Sequence, residues 1–372
     1  MHSSSSFSIP RLSLKLISQS LPFKVVVFSC VLMPFHALNA SKANLQYNSV
    51  VNSNTLTVVA VNSPTNVFEN GEFKHGFGYD LVRDYANSLN VKLDFKTVKD
   101  NSTALKYVAQ GKANLAITTA PIADIEAKKL TSFSAVCGDF TTLKSNGLDA
   151  ELNWVFKNAN DPLTQTASGF TCNAKQNGSL RQLASFYNQN IVKEESWDTI
   201  QRDLSQRLPL YKASFKQTAR EYDLDWHLLA AIGYQESYLK PNSVSPTGVR
   251  GLMMLTNNTA KAMGVSNRTD PAQSIRGGAK YYDLMLEQYA NIPFPDRNWY
   301  ALAAYNMGPG AVNQIRNRIQ SQGKDPDKWV NFYAYLDRNK ANNGRYRQAV
   351  QYVTRIRAYL EHIKTTPQLV NI

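Results

Sequence analysis

The chain has 372 residues, of which 43% are hydrophobic and 19% are charged. This balance excludes an intrinsically disordered protein and supplies enough apolar surface for two or three packed domains. The formal net charge of +13 favours an acidic partner, although a basic surface that only keeps the protein soluble explains the charge equally well. No apolar run in the body of the chain reaches the roughly 18 residues that indicate a membrane span.

The first 40 residues have the features of a secretory signal peptide. Residues 1–24 contain three basic residues and no acid, residues 25–33 are mostly apolar, and residues 37–43 include small residues suitable for cleavage. We therefore expect an exported protein; the alternative, an uncleaved anchor, is less favoured because the apolar run is short. In that compartment a carboxylate-bearing wall polymer suits a basic protein better than nucleic acid does.

Residues 41–54 are polar and predict a flexible lead, and the segment from residue 55 to 195 then alternates strands with helices. Strands are predicted at 56–61, 91–98, 113–118 and 152–157, and helices at 77–89, 102–110, 123–129 and 179–188. This alternation is typical of βαβ units, so we expect an open α/β sheet.

Residues 196–372 show helical patterns throughout and predict an all-α domain. The helices are expected at about 199–221, 226–239, 257–263, 271–290, 298–307, 311–321, 326–336 and 343–363. Two Asp-Pro pairs, at 270–271 and 325–326, indicate helix starts, and Gly264 and Gly308 suit helix ends. This half carries most of the basic excess, since residues 197–372 contain 23 Lys and Arg against 14 Asp and Glu.

The stretch from Asp225 to Ser237 draws attention because it places an acid on the apolar face of a helix. Asp225 can cap the helix, and Glu236 follows Ile232 by one turn and Leu229 by two. Burial there raises the pKa of a carboxyl group, and a carboxylic acid that stays protonated near neutral pH can protonate a leaving oxygen. A buried structural glutamate paired with an arginine is the alternative.

Three further stretches have the composition of a binding groove. Residues 251–256, GLMMLT, combine a glycine that permits close backbone approach with the soft side chains of Met253 and Met254. Residues 301–308, ALAAYNMG, place Tyr305 and Asn306 among small residues, where they can bond sugar hydroxyls and acetamides. The last stretch is the pair at 352–353, a tyrosine followed by a valine. Taken singly, each is equally consistent with packing.

Together, in this order and spacing, Glu236-Ser237, GLMMLT, AYNMG and Tyr352-Val353 resemble the lytic transglycosylase domain of the lysozyme-like superfamily. The resemblance covers about residues 200–363 and implies that Glu236 is catalytic. It also implies substrate-binding roles for the residues Ser237, Met253, Met254, Tyr305, Asn306 and Tyr352. The chain departs from many members at Met254, where they have glutamine, so an amide contact to the substrate is absent.

Residues 55–190 resemble the first lobe of a family 3 periplasmic solute-binding protein, most clearly in the stretch GFGYDL at 76–81. Too few residues separate Val136 from Leu152 to build the second lobe, so we expect a shortened, single-lobe domain with a scaffold or regulatory role. Cys137 and Cys172 are a disulfide candidate at that place, with two free thiols as the alternative. The histidines are scattered, so neither a metal nor another cofactor is predicted.

The resemblance implies cleavage of the β-1,4 bond between N-acetylmuramic acid and N-acetylglucosamine in peptidoglycan, with formation of a 1,6-anhydro ring. Glycan strands are then the expected partner, and the expected location is the periplasm, with peripheral association to the outer membrane left open. Three alternatives remain: a hydrolytic goose-type lysozyme, a non-enzymatic solute-binding or sensor protein, and a wall-binding scaffold.

Overall fold

The computed structural model describes residues 45–70 and 73–370, and these described residues belong to one compact unit. The signal peptide predicted over residues 1–40 lies outside the described residues. None of the described helices is long and apolar enough to cross a membrane.

The first part of the chain forms the expected α/β sheet with helices on both faces. Its strands are β1 (Thr55–Val61), β2 (Phe68–Asn70), β3 (Phe73–His75), β4 (Lys92–Val98), β5 (Leu115–Thr118), β6 (Thr131–Ser134) and β7 (Asn153–Phe156). Its helices are α1 (Gln46–Ser53), α2 (Phe77–Ser88), α3 (Asn101–Ala109), α4 (Ile122–Ala127), α5 (Phe140–Ser145), α6 (Pro162–Gln176) and α7 (Ser179–Phe186). β2 and β3 form a separate antiparallel hairpin.

The main sheet has the strand order β4-β1-β5-β7-β6, with β1 parallel to both β4 and β5. Successive side chains of β1 point to opposite faces of the sheet, so the strand contributes to two separate hydrophobic clusters. Leu56 and Val58 belong to a large cluster that continues into the helical part, whereas Val59 belongs to a smaller cluster under α3 and α4. One face of the sheet therefore shares its core with the rest of the molecule.

The other end of the sheet shows how the fold closes without a second lobe. β7 pairs antiparallel with both β5 and β6. The segment between β6 and β7 contains only the short helix α5, and Cys137, which follows β6, forms a disulfide with Cys172 in α6. The disulfide thus joins the shortened connection to the helix that packs beside it.

Residues 46–53, expected to belong to a flexible lead, instead form helix α1. The carboxylate of Asp161 accepts hydrogen bonds from the amides of Gln46 and Tyr47, at 2.6 and 3.1 Å, which satisfies two of the free amides at the start of α1. Asp161 also caps α6 through the amide of Leu163. No local pattern predicts α1 because its cap lies 115 residues away.

The second part of the chain is helical, as predicted. It contains α8 (Glu194–Glu221), α9 (Trp226–Ser237), α10 (Asn257–Met263), α11 (Pro271–Gln288), α12 (Asp296–Met307), α13 (Pro309–Ser321), α14 (Trp329–Asn339), α15 (Gly344–Thr365) and α16 (Pro367–Val370). The expected start of a helix at Pro326 is wrong: α14 begins at Trp329. The carbonyl of Pro326 accepts the hydroxyl of Tyr300 at 2.7 Å, so residues 325–328 form a turn that is held against α12.

Buried polar contacts fix the α/β part to the helical part. Arg83 of α2 bonds Asp296 at 2.7 Å, and the fully buried ring of His75 contacts Glu361 at 3.1 Å. Arg357, also fully buried, binds the other oxygen of Glu361 at 2.6 Å. Arg83–Asp296 and His75–Glu361 cross between the two parts, and Arg357 supports Glu361 from within α15, so specific buried contacts hold the α/β part against the helices.

Removal of the disulfide tests the contribution of the shortened connection. Its partners are 35 residues apart, so it restricts the unfolded chain enough to contribute about 4 kcal/mol. We expect Cys137→Ala with Cys172→Ala to lower the free energy of unfolding by about that amount in urea denaturation, and the reduced native protein to match the double variant. A loss below about 1 kcal/mol would contradict this view.

Candidate active site

Helix α9 carries the predicted acid and is fixed at both ends. At its start, the side chain of Asp225 accepts the amide of His227 at 2.8 Å and pairs with Lys364 at 2.7 Å. The helix interior is almost completely buried, and the helix ends at Ser237, one residue after Glu236. Glu236 itself is partly exposed, so its carboxyl group lies at the boundary between the core and solvent.

The carboxyl group of Glu236 has one hydrogen-bond partner among the described residues, Tyr352 of α15. The hydroxyl of Tyr352 donates to Oε1 of Glu236 at 2.6 Å. Burial raises the pKa of Glu236 to about 7, and the hydrogen bond from Tyr352 opposes this shift. Neither a cation nor a second carboxylate in the described part of the chain contributes to the shift. The alternative of an arginine-paired structural glutamate therefore has no support.

Tyr305 of α12 lies beside this pair. Its ring is nearly parallel to that of Tyr352, with centroids 6.4 Å apart, and its hydroxyl donates to the carbonyl of Met253 at 3.0 Å. Burial and the nearby Glu236 both raise the pKa of Tyr305, so it stays a neutral hydrogen-bonding group. Tyr281 of α11, which sequence analysis missed, packs against it at 5.1 Å.

Two of the predicted residues are buried behind the site instead of lining it. The hydroxyl of Ser237 donates to the carbonyls of Gly233 and Leu252, at 3.1 and 2.9 Å, and so ties the end of α9 to the loop that follows. Met253 is completely buried, and its amide donates to the hydroxyl of Ser274 at 3.1 Å.

The loop of residues 251–256 depends on an unusual backbone. Gly251 has φ +88°, and a Cβ atom there would lie 1.8 Å from the carbonyl oxygen of Arg268. Met254 has φ +46°, which is uncommon for a residue other than glycine, and its side chain is partly exposed. Arg268 holds the loop by donating to the carbonyls of Gly248 and Leu255, at 3.0 and 2.8 Å. No motif indicated this role for Arg268.

Asn306 completes the set of predicted residues. It is partly exposed near the end of α12, which Gly308 terminates with φ +79°.

Of the predicted site residues, the structure brings Glu236, Tyr305 and Tyr352 into contact. Within residues 45–70 and 73–370, no group of three His, Cys, Asp or Glu side chains is arranged to hold a metal ion.

Comparison with known proteins identifies the domain family to which this arrangement of residues is similar. A model of the transglycosylase SLT domain family matches residues 213–328, a stretch that contains α9, the loop after it and α12. The fold and the site thus define a domain of the SLT type.

Whole-chain relatives identify the family. A membrane-bound lytic murein transglycosylase F from Stutzerimonas stutzeri (strain A1501) is 32% identical over 421 aligned positions, which cover 84% of this chain and 86% of that protein. The proteins of the same name from Marinobacter nauticus and Pseudomonas fluorescens (strain Pf0-1) are 41% and 45% identical, over 57% and 52% of this chain. The chain belongs to the membrane-bound lytic murein transglycosylase F family.

The same comparisons bear on the shortened first part. The alignment with the Stutzerimonas stutzeri protein is longer than this chain, so segments of that relative have no counterpart here. The matches to the other two proteins cover only 45% and 43% of their lengths. The first fact agrees with a shortened α/β part, whereas the two partial matches also leave more than two fifths of this chain unaligned and do not bear on the number of lobes.

Two glycines of similar backbone conformation test how tightly the loop is built. Gly248 also has a positive φ, +80°, but a Cβ atom there would meet nothing within 4 Å. We expect Gly248→Ala to cost about 1–2 kcal/mol, the usual penalty of a left-handed residue. Gly251→Ala has the same penalty and also displaces the backbone of Arg268, so we expect its loss in thermal or urea unfolding to be at least twice as large. Equal losses would show that the loop tolerates the added methyl group.

Proposed function

We propose that this protein cleaves the β-1,4 bond between N-acetylmuramic acid and N-acetylglucosamine in peptidoglycan and leaves 1,6-anhydro-muramyl ends. The observation that supports this most is the environment of Glu236. Its carboxyl group is buried at the edge of the core, it accepts one neutral hydrogen bond, and its pKa is raised to about 7. A group in this state can both give and take a proton near neutral pH.

In the first step Glu236, protonated, donates its proton to the glycosidic oxygen, and the bond between that oxygen and the muramyl carbon breaks. The acetamide of the substrate stabilises the positive charge that develops on this carbon. The ordinary two-carboxylate mechanism needs a second acid about 5–9.5 Å away. The pKa of Glu236 shows no influence of such an acid within the described residues, which supports a mechanism with one carboxyl group.

In the second step Glu236, now ionised, takes the proton of the sugar 6-hydroxyl, whose oxygen attacks the same carbon and closes the ring. Tyr352 is suited to stabilise this ionised state, since its hydroxyl already donates to the carboxylate at 2.6 Å. The glutamate returns to its protonated form, so no water is consumed.

The remaining site residues form two groups, one accessible to solvent and one buried. We assign Met254, Asn306 and Tyr305 to the sugar groove, where the first two are partly exposed and Tyr305 lies against Tyr352. Ser237 and Met253 are buried beneath the site, and their hydrogen bonds fix the end of α9 and the loop of residues 251–256 in position. The one-lobed α/β part then serves as a scaffold, and we propose that the mature protein works in the periplasm, peripheral to the outer membrane.

The variant Glu236→Gln keeps the shape of the site and accepts the bond from Tyr352, but it cannot donate and retrieve a proton. We expect turnover of purified sacculi to fall at least 1,000-fold while binding to the sacculi is retained. The native enzyme should release products that mass spectrometry identifies as anhydro-muropeptides. Products heavier by one water would instead indicate a hydrolytic lysozyme, and full activity of the variant would contradict the role of Glu236.

The pH dependence of cleavage follows from the pKa of the acid. Glu236 must be protonated for the first step, so kcat/KM should fall as the pH rises through about 7. Because the bond from Tyr352 lowers this pKa, Tyr352→Phe should shift the midpoint of the fall to higher pH, by up to about one unit.

Tyr85→Phe is the matched control for this shift. It also removes a buried hydroxyl, which bonds the carbonyl of Leu163 at 2.9 Å in the α/β part. It should leave the midpoint unchanged. A midpoint that stays in place in Tyr352→Phe as well would show that this hydrogen bond does not set the pKa.

A further inference from the structure

A second cleft lies where α8, α9 and α15 meet, at the side of α9 away from Glu236. Its volume is about 620 Å³. The residues that give it its chemistry are three tyrosines and three cations: Tyr234, Tyr238, Tyr359, Lys193, Lys240 and Arg355. The mechanism proposed above uses none of them.

The three tyrosine rings form one aromatic wall. The ring of Tyr234 meets the rings of Tyr238 and Tyr359 edge to face, with centroids 5.6 and 5.0 Å apart. Tyr234 and Tyr359 are buried, so the wall is fixed in the core, whereas 54% of Tyr238 is exposed at the rim. An aromatic face with hydroxyl groups suits a ligand that has both flat apolar and polar parts.

The backbone at the rim is held in an unfavourable conformation. Tyr238 and Leu239 have φ +54° and +57°, which bulky residues rarely adopt. The amide of Tyr238 donates to the carbonyl of Tyr234 at 2.8 Å, and its carbonyl accepts from Arg207 at 2.9 Å. These bonds fix an exposed aromatic ring directly after Glu236 and Ser237.

The charges of the cleft are unbalanced. Within the part of the chain that the structure describes, Lys193, Lys240 and Arg355 form no ion pair. The acid that lines the cleft, Asp203, is paired with Arg207 at 2.9 Å. Three cations around an aromatic wall attract an anionic ligand, and carboxylates are the natural partners of arginine and lysine.

The cleft is close to the proposed site of cleavage. Tyr238 follows Glu236 by two residues, and two residues of chain span at most about 7 Å. Tyr234 precedes Glu236 by two residues of α9, about half a helical turn, so the two side chains project from opposite sides of the helix, and Tyr238 follows directly after its end. A branched polymer held at Glu236 can therefore extend a side chain around the helix end to the tyrosines.

We propose that this cleft binds the acidic stem peptide that peptidoglycan carries on its muramyl residues. The carboxylates of the peptide pair with Lys193, Lys240 and Arg355, and its backbone lies against Tyr238 and the wall behind it. This assignment rests on the proposed function for its substrate. It predicts that the enzyme prefers glycan strands with peptides over bare strands.

Binding is measured first, because it does not depend on turnover. An isolated stem tetrapeptide with free carboxylates is titrated by calorimetry into the full chain carrying Glu236→Gln. The same peptide with amidated carboxylates is the matched ligand. We expect Lys240→Gln with Arg355→Gln to weaken binding of the acidic peptide at least tenfold, and amidation to weaken it similarly. Lys324→Gln, which removes an exposed cation outside the cleft, should have no effect.

Turnover is measured next, on glycan strands with and without peptides. In the native background, the double variant should lower kcat/KM for peptide-bearing strands about tenfold and leave that for bare strands unchanged. Tyr359→Phe, which keeps the ring, should have a smaller effect in the same direction.

The outcomes separate the two proposals. Cleavage of both kinds of strand with no measurable binding of the peptide would overturn the peptide site and leave the proposed function intact. Binding that depends on Lys240 and Arg355, without cleavage of either strand, would support the cleft and overturn the proposed function. Equal binding of the acidic and amidated peptides would overturn the ionic basis of recognition.

Discussion

The structure depends on one placement: the carboxyl group of Glu236 at the edge of the core, with a single hydrogen bond from Tyr352. Exposed to water, this group would be ionised at neutral pH and could not act as an acid. Buried against a cation, it would be held ionised as well. Partial burial beside tyrosines avoids both, because burial favours the protonated form and the hydrogen bond from Tyr352 only partly offsets it in favour of the ionised form. The raised pKa of about 7 is the result.

Much of the surrounding structure maintains this placement. α9 is capped by Asp225 at one end and tied by Ser237 to the carbonyl of Leu252 at the other. The loop that follows reverses at Gly251, where only glycine fits against the carbonyl of Arg268. Its carbonyl at Met253 then receives the hydroxyl of Tyr305. The loop therefore fixes Tyr305, which packs beside Tyr352. A substitution at Gly251 would displace the loop, and the displacement would be transmitted through these two tyrosines to Glu236.

The α/β part is built around one five-stranded sheet and has only a short connection between β6 and β7. Its sheet is complete, because β7 closes the edge in the antiparallel direction and a disulfide secures the shortened connection. The face that shares its core with the helices also carries buried ion pairs, including Arg83 with Asp296. Such pairs favour one fixed arrangement, because their directional hydrogen bonds are satisfied in only one relative position of the two parts. These contacts support the scaffold role that we propose for the α/β part.

The sequence by itself determined the class of each half and, in the helical part, the order of the helices and most of their bounds, since periodicity and caps such as Asp270 are local signals. It also singled out Glu236, Tyr305 and Tyr352. It did not predict α1, α5 and α6 of the first part. Only the tertiary structure decided that Ser237 and Met253 face inward, that residues 325–328 form a turn, that Asp161 starts α1, and that Arg268 holds the loop. Each of these depends on a partner distant in the chain, as does the bond between Tyr352 and Glu236 across 116 residues. Spacing along a chain does not encode such contacts, because packing of the whole core selects them.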